Sequence, residues 1–144
     1  MEGNLSLQLG VAATLVLVTV AIHAVGLIFL SRILRREARE EAERHIPPLS
    51  FEGVTMVIGL VGGLFLLHGF EIFLYALLFE AIGAVPRLDD AIFFSAMTYG
   101  TVGYSDALLH PEWRLVAAIE GINGLLLIGW STAFFVTLMG RLVR

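Results

Sequence analysis

Four ionisable residues, His23, His68, Glu71 and Glu120, stand inside long apolar runs, where a charged or strongly polar group is costly and marks a candidate site by default. On a helix, His68, Glu71 and Tyr75 share one face at i, i+3 and i+7. A His-x-x-Glu pair is half of a carboxylate and imidazole metal site, and only Glu120 and His23 remain to complete it from other helices. Three chemistries therefore compete: a hydrogen-bonded structural cluster, a proton or ion relay, and a metal site. His110, next to Pro111, reads as a solvated turn residue. The chain has no nucleotide-binding loop, no nucleophile constellation and no nucleic-acid patch. With no cysteine, disulfides, Cys-ligated zinc, iron–sulfur clusters and thiol catalysis are excluded together.

The elements that must position these groups follow from composition. Of 144 residues, 58% are apolar and 15% charged, and the mean hydropathy is +0.87, which excludes an ordinary soluble domain. A spanning helix needs about 20 apolar residues, so the machinery is expected inside a bilayer. The first apolar run, Leu7 to Leu30, is too long for a signal-peptide core, and its leader carries Glu2 without an arginine, so it reads as a mature helix. A second run extends from Val54 to Phe79 and a third from Leu115 to Met139. Between the first two lies a segment of alternating sign closed by Pro47 and Pro48. Its i,i+4 pairs, Arg36 with Glu40, Arg39 with Glu43 and Glu40 with Arg44, predict that the first helix continues into water. Arg32, Arg35, Arg36 and Arg39 have the spacing of a voltage sensor, but the interleaved glutamates cancel their charge.

Arginine placement orients the chain. Five arginines, Arg32 to Arg44, occupy the first linker, and Arg141 and Arg144 lie at the far end, against Arg87 and Arg114 in the second linker. The first linker and the C-terminus are therefore expected in the cytoplasm and the N-terminus outside. The outer segment, Glu80 to Arg114, is too long for a turn and too apolar for a solvated loop. Within it Asp89 is expected to cap a short helix over 89–99, with Gly100 as its C′ residue. Two or three turns cannot span, so the helix must dip in and return. Irregular backbone at that depth survives only when buried in protein or lining a watery path.

The returning segment carries Thr98-x-x-Thr101-Val102-Gly103-Tyr104-x-Asp106, which resembles the filter of the pore-loop potassium channels. The resemblance covers roughly Phe51 to the end of the chain and implies an all-α membrane protein. It has three transmembrane helices, with a re-entrant pore helix and filter loop between the second and third, arranged as a fourfold homotetramer around a central pore. It divides the chain into an additional N-terminal helix (1–34), a charged cytoplasmic extension and proline linker (35–50) and a pore domain (51–144). That domain comprises an outer helix over 52–80, a pore helix over 89–99, a filter over 101–105 and an inner helix over 113–143. Thr101, Val102, Gly103, Tyr104 and Ser105 then form the filter, supported by Thr98, Gly100, Asp106, Phe93 and Phe94, with Phe93-Phe94 where many members carry a tryptophan pair. The sequence departs from the family at Ser105, where a second glycine is usual. A left-handed conformation there costs about 1–2 kcal/mol, so the outermost ion site is expected to differ. A second departure is that Phe93, Phe94 and Met97, expected to face Asp106, offer it no hydrogen-bond donor.

The resemblance further implies monovalent cations, potassium first, as the permeant species, and an inner-membrane location with lipids and copies of the same chain as partners. It implies no cofactor, no enzymatic activity and no metal beyond the permeant ion. Gating is expected from the membrane, pH, the short linkers or a separate regulatory protein. Gly124 stands near the family's hinge glycine, although Gly121, Gly124 and Gly129 also make a surface for close helix packing. Ser131 and Thr132 are expected either to face a cavity or to bond back to their own helix. Glu120 is placed to support the back of the pore helix. Two other readings stay open: a weakly selective or non-conducting relative disabled by Ser105, and a metal-binding or accessory membrane protein built on His23, His68, Glu71 and Glu120.

Overall fold

The computed structural model describes residues 5–43, 51–103 and 107–142, and every element among them is helical. Helix α1 is Leu5–Glu43, α2 is Phe51–Ala81, α3 is Leu88–Tyr99 and α4 is Arg114–Leu142, the last entered through a 3₁₀ turn at Pro111–Trp113. Three stretches, Leu5–Leu34, Gly53–Ala81 and Pro111–Gly140, are long and apolar enough to cross a membrane. Helix α1 passes without a break from its apolar run into the charged segment. Its 39 residues reach roughly 58 Å at 1.5 Å per residue, well beyond a hydrocarbon core of about 30 Å. Charged residues beyond the apolar run therefore fit a helix that leaves the bilayer. Side-chain pairings expected over 36–44 lie outside the described residues.

Helix α2 ends where Gly83 takes φ +68, a conformation that lets the N–H groups of Ala84 and Val85 both return to the Phe79 carbonyl. The chain then turns into α3, which packs against both α2 and α4. Helix α1 lies against α4 and α2, so the short helix and the first helix are gathered by the same pair. The main apolar core joins Tyr75 and Phe79 of α2, Ala91, Phe94 and Tyr99 of α3, and Val116 and Leu127 of α4. Phe94 meets Phe79 edge to face at 5.5 Å, which commits it to this core. A second cluster, with Leu27, Leu34, Met56, Leu60 and Leu64 at its centre, closes the other end of α1 and α2.

Much apolar surface faces outward on all three long helices, including Leu17 at 70%, Phe65 at 80% and Leu126 at 66% exposure. A soluble monomer could not present such surface, whereas lipid or further copies of the chain would cover it. The chain is a membrane protein by composition and by these three helices.

Two local expectations are corrected. Asp89 is not the cap of the short helix: the N-cap is Arg87, in extended conformation, and its side chain makes no capping bond. Asp89 is held instead by Arg87, whose Nε and an Nη reach its two oxygens at 3.0 and 2.5 Å. The residue that turns left-handed after the helix is not Gly100, which has φ −72, but Thr101 at φ +58. A Cβ at Gly100 would make a tight contact, 3.0 Å from the Ala96 carbonyl oxygen.

Candidate functional site

The site begins where α3 ends. The N–H groups of Thr101, Val102 and Gly103 turn back to the carbonyls of Thr98, Met97 and Met97, at 2.9, 2.9 and 3.1 Å. These donors are occupied by the helix and are not offered to an ion. Thr101 and Gly103 both have positive φ, with Val102 between them 66% exposed. A left-handed β-branched residue is a backbone outlier costing roughly 1–2 kcal/mol, and such outliers persist where surrounding structure over-determines them. Tyr104, Ser105 and Asp106 lie outside the described residues.

Helix α4 clamps the last turn of α3 through glycines. A Cβ on Gly124 would fall 2.2 Å from the Tyr99 carbonyl oxygen and 2.8 Å from its ring, and one on Gly121 would fall 3.3 Å from the Thr98 carbonyl oxygen. Gly121 and Gly124 therefore serve close packing, while a Cβ on Gly129 would meet nothing within 4 Å beyond its own helix backbone. Phe93, beside the buried Phe94, is half exposed.

Behind this junction four helices bring polar side chains together. Glu71, fully buried on α2, takes His23 Nδ1 of α1 on one oxygen at 2.9 Å and the Tyr99 hydroxyl of α3 on the other at 2.5 Å. His68 Nδ1 lies 2.9 Å from the Tyr99 hydroxyl and 3.3 Å from Glu71 Oε2. Ser131 of α4 stands between the two imidazoles, 2.9 Å from His68 Nε2 and 3.3 Å from His23 Nε2. Trp130 covers His23, with ring centroids 5.4 Å apart. Ser131 thus faces the cluster, whereas Thr132 bonds back to the Ile128 carbonyl of its own helix.

Glu120 does not join them, which breaks the four-residue set expected for a metal site. It bonds Ser95 on the back of α3, and that hydroxyl also reaches the Ile72 carbonyl of α2 at 3.1 Å. Among the described residues, Glu120 Oε2 is the one buried side-chain oxygen without a partner. Nearby, Asn123 of α4 donates to Thr19 of α1 at 2.8 Å and to Tyr75 of α2 at 3.1 Å, so Tyr75 belongs to this second group. His23, His68 and Glu71 do lie close enough to share a metal ion, with ligand atoms within 4.8 Å of one another. Three ligands from α1 and α2 fit a divalent cation in donor type, but each is already hydrogen-bonded, so the cluster does not require one.

Sequence reasoning did not reach Tyr99, Ser95, Asn123 or Thr19. Asn123 carried a readable signal as an amide inside an apolar run. The others became visible only when the helices were packed. At the opposite end of α3, the Arg87 guanidinium beside Asp89 holds its carboxyl below the ordinary value, and the pair raises Arg87 in turn. Arg87 also reaches Asp90 at 3.6 Å, and Glu112 lies 3.9 Å from His110. Arg87 thus offsets part of the acidic charge that Asp89 and Asp90 place at this end of α3.

A short helix thus lies between two helices long and apolar enough to span a membrane, and it is followed at once by backbone bent through two positive φ angles. Residues 54–141 match the protein family described as "Ion channel", which is more than half of the chain. The chain belongs to this ion channel family. Comparison with curated proteins and with solved structures returns no match. Helix α1, and His23 with it, lies outside the matched region.

Proposed function

We propose that the chain is one subunit of a fourfold, potassium-permeable channel in which α2 is the outer helix, α3 the pore helix, residues 101–105 the filter and α4 the inner helix. The observation that carries this reading is the junction itself. The N–H groups of 101–103 are bonded to α3, which leaves carbonyl oxygens and the Thr101 hydroxyl as the groups a dehydrated cation would meet. The C-terminal end of α3 adds the negative end of its dipole. One such segment cannot encircle an ion, so four copies must close the ring, and the outward apolar faces supply surface for that assembly. Conduction is passive, with several ions in file. The membrane is the inner one of a bacterium, with the N-terminus outside and the C-terminus in the cytoplasm, following the arginine distribution.

The test is flux. Liposomes carrying the purified protein should pass thallium or rubidium well above empty liposomes and sodium poorly. No uptake beyond empty liposomes would contradict the reading.

A further inference from the structure

The cluster around Glu71 is a closed ring. Starting from Glu71 Oε1, the links run to His23 Nδ1 at 2.9 Å, from His23 Nε2 to Ser131 Oγ at 3.3 Å and from Ser131 Oγ to His68 Nε2 at 2.9 Å. They continue from His68 Nδ1 to the Tyr99 hydroxyl at 2.9 Å and from that hydroxyl back to Glu71 Oε2 at 2.5 Å. Both nitrogens of each imidazole and both oxygens of the carboxylate are used.

Five links need five hydrogens, one in each. Tyr99 and Ser131 supply one apiece, and two neutral imidazoles supply one apiece. That leaves one link empty and, with Glu71 ionised, a buried charge of −1. One further proton, on an imidazole or on the carboxyl, fills the last link and brings the ring to neutrality. A sixth hydrogen would set two donors against each other. In an apolar interior, a fully satisfied and neutral network is favoured over one that is short of a hydrogen.

Taking α3 and residues 101–103 as the pore helix and the start of the filter, as proposed above, we infer that His23 is a positioning residue for conduction. From the helix outside the family-matched region it closes a ring that holds Tyr99, and the ring closes only with one proton bound. Tyr99 is the last residue of α3, its carbonyl and ring lie against Gly124, and the next turn of backbone hangs from the carbonyls of Met97 and Thr98. Loosening the phenol loosens the base of the filter. This gives α1 a role beyond shielding the other helices from lipid.

The ionisable groups that bear on the ring come from every helix packed against it: His23 on α1, His68, Glu71 and Tyr75 on α2, Tyr99 on α3 and Glu120 on α4. A largely apolar cavity of about 300 Å³ between α2 and α4 reaches the ring, lined in part by His68 and Ser131. His68 is the exposed member, at 17% of its side chain. On the alkaline side the ring loses its proton, opens one link and gains a buried negative charge.

The test is thallium flux in liposomes across a pH series for the wild type, Glu71→Gln and His23→Ala. A glutamine amide offers one acceptor and one donor where the carboxylic acid does, so it keeps five hydrogens in five links without a proton to lose. Wild-type flux should fall on the alkaline side, Glu71→Gln should hold its flux through that range, and His23→Ala should be flat and about tenfold lower throughout. Retention of the wild-type alkaline step in either variant would overturn the inference. If His23→Ala fails to give a folded protein, the Glu71→Gln profile decides.

Absence of wild-type flux at every pH would instead count against the channel reading. The ring is then judged by histidine NMR of the full chain in micelles. A single titration step shared by His23 and His68 and lost in Glu71→Gln supports it; two independent steps, or one equivalent of zinc bound by the wild type and lost in His23→Ala, overturn it.

Discussion

Glu71 and Glu120 are both fully buried carboxyl groups on helices that cross the membrane, and both lean on α3, yet they are supported in opposite ways. Glu71 faces the C-terminal end of α3 with both oxygens engaged, in a network that reaches all four helices. Glu120 faces the middle of α3 through Ser95, and its second oxygen has no partner. A buried carboxyl with a complete set of donors is expensive to remove, because its partners are orphaned with it. One that is half satisfied already bears part of its desolvation cost, so an apolar residue of similar size loses little by replacing it.

That contrast can be broken by matched substitutions. Glu71→Leu leaves His23, His68 and Tyr99 without their acceptor and should cost about 3–5 kcal/mol. It should also abolish flux, as read by thermal unfolding in micelles together with liposome uptake. Glu120→Leu should stay within about 1 kcal/mol of the wild type, since Ser95 keeps the Ile72 carbonyl. Equal losses at the two positions would remove the distinction. A smaller effect sharpens it from the side of α4: Gly124→Ala forces a methyl against the Tyr99 carbonyl and ring and should cost about 1–3 kcal/mol of overpacking, with a matching fall in flux. Unchanged stability there would mean that α4 does not clamp the end of α3.

The smallest effect belongs to the exposed end of the same helix. Asp89 has its folded value lowered by Arg87, so the pair contributes stability above the ordinary carboxyl value that disappears as pH falls through the folded one. Arg87→Ala should remove that acid-side dependence together with the small neutral-pH stability it represents, a loss that shrinks further in high salt. A large loss at neutral pH would show that this end of α3 bears load after all.

The spans were legible because hydropathy alone separates 20-residue apolar runs from everything else, and the short helix was legible because its length forbids a crossing. The polar cluster was legible only in part. His68 and Glu71 share a helix face three residues apart, so their meeting follows from helix periodicity. Tyr99 and Ser131 meet His68 from 31 and 63 positions away, and no local pattern encodes such contacts. Periodicity also could not tell that Glu120 points to Ser95 rather than to the histidines, since that depends on the rotation of α4 about its own axis. At α3, the preference of aspartate for capping lost to an ion pair with the preceding Arg87. The preference of glycine for left-handed backbone lost to the turn that carries the N–H groups of 101–103 back to the helix.

The most direct measurement of the central claim is a density map of the purified protein in potassium and again in sodium. The account predicts a fourfold assembly with ion density on the central axis beside Thr101 to Gly103 in potassium, and a changed pattern in sodium. An assembly whose axis carries no ion there, or in which residues 101–103 lie away from the axis, would contradict it.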